Sequence, residues 1–246
     1  MNPKIMLKLI PLTAVLLVWV CAFSGQAFAG VVAIDSDFDG KIDQWQYRTT
    51  EGKKIKVEYD RDGDGTVEHV EFFRGDNQLE RAEFYSEGKI NQTQFYSESG
   101  KILRVERDSD QDGRVDWWEF FDAAEKIVRV EADQKGDGRV DFWQFFNDEG
   151  KIERLEYDSD HDGKVDRWEH LGADGQLEWV GFDTDHDGKI EQWQYLDAEG
   201  RYQRIEFDTN GDGQADRWQY YDAAGKEMRV EWDRNFDGKP DLFQTR

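Results

Sequence analysis

The 246-residue chain carries 55 Asp and Glu against 32 Lys and Arg, a formal net charge of −23. That balance excludes a nucleic-acid binder, which needs basic surface, and disfavours anionic membrane surfaces. Strong acidity can mark disorder, but ten Trp and an aromatic fraction of 14% are too rich for a disordered tail.

The first 29 residues differ from the rest. Lys4 and Lys8 precede an apolar run from Leu9 to Phe23, and the segment closes on Ala27-Phe28-Ala29. These are the parts of a secretory signal peptide, with cleavage expected after Ala29. Pro11 and Thr13 interrupt the run and no stop-transfer pattern follows, so no membrane span is expected after cleavage. The single cysteine, Cys21, lies inside this segment. A lipid anchor there would want a small residue just before it, and Val20 is not small. The segment takes two Lys and no acid with it, which leaves residues 30–246 at −25 and without a cysteine. The expected destination is the periplasm, the cell surface or the medium. A chain without disulfides in such a compartment needs another source of rigidity.

From Gly30 onward the chain is one unit, copied. The segment Asp-x-Asp-x-Asp-Gly, or a near variant, begins at Asp35, Asp60, Asp108, Asp133, Asp158, Asp183, Asp208 and Asp233. Successive starts are 25 residues apart except between Asp60 and Asp108, where a shortened copy (about 79–100) has lost its acids and keeps Phe84-Tyr85-Ser86-Glu87-Gly88-Lys89-Ile90-Asn91. About nine units of roughly 25 residues therefore form a single repeat domain over 30–246, with no room for a separate catalytic domain.

Each unit reads as two strands. An acidic loop is followed by a segment such as Val165-Asp166-Arg167-Trp168-Glu169-His170-Leu171, then a turn such as Asp197-Ala198-Glu199-Gly200-Arg201, then a second strand such as Ile152-Glu153-Arg154-Leu155-Glu156-Tyr157. Period-2 alternation and enrichment in Val, Ile, Trp, Tyr and Phe indicate strands, and Gly in the turn suits a left-handed position. The alternation places Trp168 and His170 with Leu155 and Tyr157 on one face, the Gln, Glu and Arg positions mostly on the other. Short connections pair consecutive strands antiparallel. The fold class is all-β: an extended, twisted antiparallel β-meander, repeat- or solenoid-like, of eighteen strands with the Asp-rich loops along one edge. Left flat and open, such a sheet would be on the order of 85 Å long and would leave its Trp face wet, so twist or coiling that covers that face is expected.

The loops carry the chemistry. Counting each from its first Asp, acids fill positions 1, 3, 5 and 9 as Asp35, Asp37, Asp39 and Asp43 in the first, and as Asp60, Asp62, Asp64 and Glu68 in the second. The same positions hold Asp108, Asp110, Asp112 and Asp116, then Asp158, Asp160, Asp162 and Asp166, then Asp183, Asp185, Asp187 and Glu191. The last two loops place Asn at position 3: Asp208, Asn210, Asp212 and Asp216, and Asp233, Asn235, Asp237 and Asp241. Hard oxygens at these positions, a backbone carbonyl at 7 and a wrapping Gly at 6 describe a calcium loop. Four like charges in one turn repel unless a cation or open solvent intervenes. Magnesium demands tighter octahedral geometry and fits less well. Lys135 at position 3 of the loop beginning at Asp133 opposes a cation, so that loop is expected to be weak or empty. The Glu or Gln at position 12 is left out of the ligand set, because an exiting strand carries it about 10 Å beyond position 9.

These loops resemble the EF-hand-like Asp-x-Asp-x-Asp-Gly-x-x-Asp class flanked by strands, as in integrin-type propeller blades. The hairpins, with phrasing such as Tyr220-Tyr221-Asp222-Ala223-Ala224-Gly225-Lys226, resemble MORN-like or YD-like bacterial repeats. The resemblance spans 30–246 and implies calcium binding, with no enzymatic activity attached.

Trp45, Trp118, Trp143, Trp168, Trp193 and Trp218 share one repeat position. They read as a stacked ladder forming the core, with an aromatic platform for sugar rings as the alternative. Trp117, Trp179 and Trp232 break the pattern and are the candidates for an exposed binding face. His161 and His186, at position 4, are expected to point away from the ion, and four His without paired spacing do not make a zinc or catalytic centre. No unit carries a distinct catalytic constellation, so the chain is not expected to be an enzyme. The leading expectation is a calcium-binding exported scaffold whose partner is a protein or polysaccharide of the cell envelope. The second is a carbohydrate-binding module, and a glycan-active enzyme comes last.

Overall fold

A computed structural model describes residues 28–75 and 77–246. The expected signal segment falls almost wholly outside the described residues. Eighteen strands follow one another: β1 (Phe28–Ile34), β2 (Gln44–Thr49), β3 (Lys54–Tyr59), β4 (His69–Arg74), β5 (Gln78–Ser86) and β6 (Lys89–Tyr96) open the chain. Next come β7 (Ile102–Arg107), β8 (Trp117–Phe121), β9 (Ile127–Ala132), β10 (Phe142–Phe146), β11 (Ile152–Tyr157) and β12 (Arg167–Leu171). The series ends with β13 (Leu177–Phe182), β14 (Gln192–Leu196), β15 (Tyr202–Phe207), β16 (Arg217–Tyr221), β17 (Glu227–Trp232) and β18 (Leu242–Thr245). No helix occurs among the described residues, so none is long and apolar enough to cross a membrane.

Every strand pairs antiparallel with its neighbours in the chain, from β1 with β2 to β17 with β18. Contacts between elements are confined to neighbouring strands. The fold is therefore an open, single-layer meander. The expected covering of the Trp face by coiling does not occur among the described residues. Cationic heads of long side chains on the same face lie over its Tyr and Phe rings instead, a cation–π arrangement. Lys56 lies over the Tyr47 ring at 4.0 Å, Arg129 over Phe120 at 4.2 Å and Arg154 over Phe145 at 4.1 Å.

The register corrects the expected division of faces. Trp168 lies opposite Glu156 and His170 opposite Arg154, while Leu155 lies opposite Glu169 and Tyr157 opposite Arg167. Cross-strand partners share a face, so Trp168 and His170 sit on the side away from Leu155 and Tyr157. We call the Trp side face A and the other face B. A one-residue change of register exchanges the faces of a whole strand, and composition alone does not supply that register. Face B holds the most buried column, Val57, Ala82, Val105, Val130, Val180 and Val230, between 1 and 6% exposed. Each is flanked in register by a Gln or Glu, as Val130 is by Glu119 and Gln144.

Both edges are stitched between hairpins. Asn147 closes one turn by accepting the N–H groups of Glu149 and Lys151 at 3.0 and 3.1 Å, with Gly150 left-handed at φ 79°. On that edge Lys126 and Lys151 each donate to a carbonyl of the next turn at 2.7 Å.

Tyrosine hydroxyls bond to Glu side chains of their own face and set an alkaline limit. Tyr59 donates to Glu71 at 2.8 Å and Tyr85 to Glu83 at 2.7 Å. Burial, with the neighbouring carboxylate adding to it, pushes Tyr59 up to about 12 and raises Tyr85 as well. The unfolded phenol titrates near pH 10, so the stability these groups contribute is complete below about pH 10 and is lost as pH rises toward the folded values. Circular-dichroism melts are expected to hold up to about pH 10 and fall between about pH 10 and 12, in step with phenolate absorbance.

Candidate metal centre

Each acidic loop is a chain of side-chain-to-backbone turns, the local bonding that Asp and Asn favour. Position 1 accepts the N–H of the position-6 Gly in every loop, as Asp60 does from Gly65 at 3.0 Å and Asp183 from Gly188 at 2.6 Å. Only Gly takes that position at no steric cost, for Gly65 stands at φ 93° and Gly188 at 94°. Position 3 accepts from position 5, as Asp62 from Asp64 at 3.1 Å, and position 5 from position 7, as Asp64 from Thr66 at 2.7 Å. Position 9 accepts from position 2, as Glu68 from Arg61 at 2.9 Å. Successive loops are joined directly, since the Asp60 N–H donates to the Asp43 carbonyl at 2.9 Å and the Asp183 N–H to Asp166 at 2.9 Å.

These bonds turn the acids of a loop toward one another. Asp60, Asp62, Asp64 and Glu68 each present an oxygen within 4.8 Å of the others, and so do Asp183, Asp185, Asp187 and Glu191. These are the two loops of the five all-acid sets with Glu at position 9, whose longer arm reaches the other three carboxylates. Burial and Asp183, Asp185 and Asp187 together raise the Glu191 carboxyl above its ordinary range.

Where position 9 is Asp, the neighbouring residue often engages it. Ser36 donates to Asp43 through its hydroxyl at 2.6 Å and its N–H at 3.0 Å, which holds that carboxyl low, and the tight group there is Asp35, Asp37 and Asp39. Ser159 holds Asp166 at 2.7 Å and Thr209 holds Asp216 at 2.8 Å in the same way. Arg234 pairs with Asp241 at 2.8 Å. In the third set Asp108, Asp110 and Asp116 converge, while Asp112 accepts from Arg114 at 2.8 Å. Asn210 and Asn235 turn amide nitrogens toward Asp212 and Asp237, at 3.0 and 3.3 Å.

Two histidines depart from expectation. His186 does point away from its own loop, but across the gap, with Nδ1 2.8 Å from Asp160 Oδ2, and it joins Asp160 and Asp162 in one tight group. His161 reaches back likewise to Asp141, at 3.5 Å. The signal was the left-handed residue at position 4, which aims its side chain at the preceding loop. Lys135 sits 3.9 Å from Asp137 Oδ2, and both oxygens of Asp133 accept backbone N–H groups.

Whether these residues suit a cation turns on the buried oxygens. Asp60 is 3% exposed, and its Oδ1 has no hydrogen-bond partner; the same holds for Glu68 Oε1 in that group and Asp108 Oδ1 in the third set. A buried, unmatched carboxylate oxygen is costly. Oxygen-only donors of this kind fit a hard divalent cation. At position 12 of the third set, Glu119 accepts from Arg107 at 2.5 Å on face B. Trp117 and Trp232 lie on face B and Trp179 on face A, so the three do not form one surface.

The chain matches no family model and no curated protein. Among solved structures it is similar to accessory secretory protein 1,2 and 3 of Streptococcus pneumoniae, at 12% identity and a TM-score of 0.29 over 48% of this chain and 20% of that one. A structure of S. aureus TarM gives 16% identity and a TM-score of 0.26 over 51% and 21%. The TcdB2-TccC3-Cdc42 structure gives 11% and 0.25 over 82% and 12%. This chain thus spans about a fifth or less of those chains, and similarity at this level carries no argument about what it does.

Proposed function

We propose that this is a calcium-binding, exported repeat protein that serves as a structural or interaction scaffold at the cell envelope or outside the cell. The observation that carries the reading is the pair of buried, unpartnered oxygens of Asp60 and Glu68, two of the four acids of a loop that each place an oxygen within 4.8 Å of the others. Calcium accepts six to eight oxygens in irregular geometry, which suits carboxylates already fixed by backbone bonds. Bound ions would neutralise the loops, hold each hairpin against the next and stiffen the single layer. The leader-like pattern of residues 1–29 supports export, where calcium is plentiful and disulfides are not used by this chain.

Isothermal titration of residues 30–246 with calcium, with magnesium as control, tests it. Several ions per chain are expected, the tightest at the Asp60 and Asp183 loops. Lys135→Asp is expected to add one further ion by completing the set Asp133, Asp137 and Asp141. No heat of binding at millimolar calcium would remove the metal reading and leave the acids as solvated turns.

A further inference from the structure

Face A repeats one device along the sheet. An Arg or Lys stacks on the aromatic ring of the preceding strand and pairs with a Glu two residues on. It occurs as Arg104 over Phe95 with Glu106, Arg129 over Phe120 with Glu131, Arg154 over Phe145 with Glu156, and Arg204 over Tyr195 with Glu206. The same pairing recurs on β3, β5 and β17. Strand β13 breaks it. Where the others carry the cation it has Trp179, and where they carry Glu it has Gly181.

The result is an aromatic cluster three strands wide whose central strand carries neither the cation nor the Glu of the device. Trp168, Gly181 and Trp193 lie in one cross-strand row, and His170, Trp179 and Tyr195 in the next. His170 and Trp179 stack at 5.5 Å with 19° between their planes. All five rings are half-buried; Arg204 lies over Tyr195, and among the described residues no second layer covers the cluster. Gly181 leaves no hole behind, because Ile190 Cδ1 would lie 2.8 Å from a Cβ there. The floor between Trp168 and Trp193 is thus low, apolar and filled. Arg154–Glu156 and Arg204–Glu206 border the cluster on either side, at 2.8 Å within each pair, and Glu178 stands 3.8 Å from His170 at the strand end.

We propose that this part of face A binds a neutral, extended β-1,4-linked glycan chain running across the strands. Three features select that occupant. The C–H faces of pyranose rings stack on aromatic faces, whose electron-rich quadrupole attracts their polarised hydrogens. Trp168 and Trp193, two strands apart, are separated by ~9.6 Å, close to the length of one disaccharide unit in an extended β-1,4 chain, so alternate sugars meet alternate Trp rings. The bordering ion pairs offer donors and acceptors to the ring hydroxyls. Charge decides against an acidic polymer, since the whole chain carries −23. Glycan binding here does not depend on whether the loops hold calcium.

The test uses the whole mature chain in calcium, titrated by Trp fluorescence and calorimetry with hexamers of β-1,4-linked glucose and of β-1,4-linked N-acetylglucosamine. One hexamer at least is expected to bind saturably, and Trp179→Ala to weaken it tenfold or more. The combined change Trp179→Arg, Gly181→Glu and Ile190→Val restores the device of the other repeats, so it keeps the fold and is expected to abolish binding. The α-1,4-linked glucose hexamer, which curves, is expected not to bind. Absence of saturable binding by either β-linked hexamer, equal binding by the restored variant, or equal binding of the α-linked hexamer would each overturn the assignment.

Discussion

Stripping calcium from the mature chain with a chelator is expected to lower its melting temperature by ~10–20 °C or more. At a hundredfold excess over Kd, each occupied site stabilises the folded state by about 2.7 kcal/mol. In a chain of this size about 1 kcal/mol moves the melting temperature by roughly 2–4 °C, so two coupled sites already reach that range. Coupling has a structural basis, because in six of the eight loops the first N–H bonds the position-9 carbonyl of the loop before it, while Asp108 bonds Asn91 of the acid-free copy. Asp60 has the buried free oxygen and Glu68 completes its group. Glu68→Gln is therefore expected to remove one ion and part of the shift, while sparing the hydrogen bond that Glu68 accepts from Arg61 at 2.9 Å. Magnesium is expected to reproduce only a fraction of the rise. Equal melting temperatures in calcium and in chelator would mean that the loops are held by their backbone bonds alone.

The second large effect is expected from Val130→Asp. Val130 is 4% exposed in the middle of the sheet, and its register places Glu119 beside it on β8 and Gln144 on β10. A new carboxylate there is buried, unpaired and next to a like charge, a change that costs about 3–5 kcal/mol. In a compact protein the loss would be shared by the whole core. Here each strand touches only its neighbours, so stability is a sum of nearest-neighbour terms and the damage stays local. Unfolding is expected to separate into two transitions, and limited proteolysis to cut near β9 and leave an N-terminal and a C-terminal fragment. Val130→Thr, with similar shape and no charge, is expected to cost less and keep one transition. A single unshifted transition for Val130→Asp would show that β9 is not essential to the continuity of the sheet.

Much of this molecule is written in its period. The Asp-x-Asp-x-Asp-Gly starts, the Gly in the turns and the alternation of Val, Trp and Tyr with charged residues each report local conformation. Strand existence and order followed from them, because short connections leave antiparallel pairing with the next strand as the simple outcome. The gathering of acids in the Asp60 and Asp183 loops was legible for the same reason, since every bond that shapes a loop spans a few residues of one segment.

Features that depend on how segments meet were not legible. The opposition of Trp168 to Glu156 instead of an apolar partner is a property of register, and a one-residue difference reverses it. The reach of His186 to Asp160, and the separation of Trp179 from Trp117 and Trp232, follow from that register and from the stacking of one loop on the next. The single layer follows from what covers the faces. The face of the Trp ladder does without a second layer, with the guanidinium groups of Arg129 and Arg154 lying on Phe120 and Phe145 of the same sheet. By itself the sequence determined the repeat, the strands and the acidic loops, all set by interactions within a few residues. Only the tertiary structure decided which side chains share a face, because that is set by hydrogen-bond register between strands, where a single step moves every side chain to the opposite side.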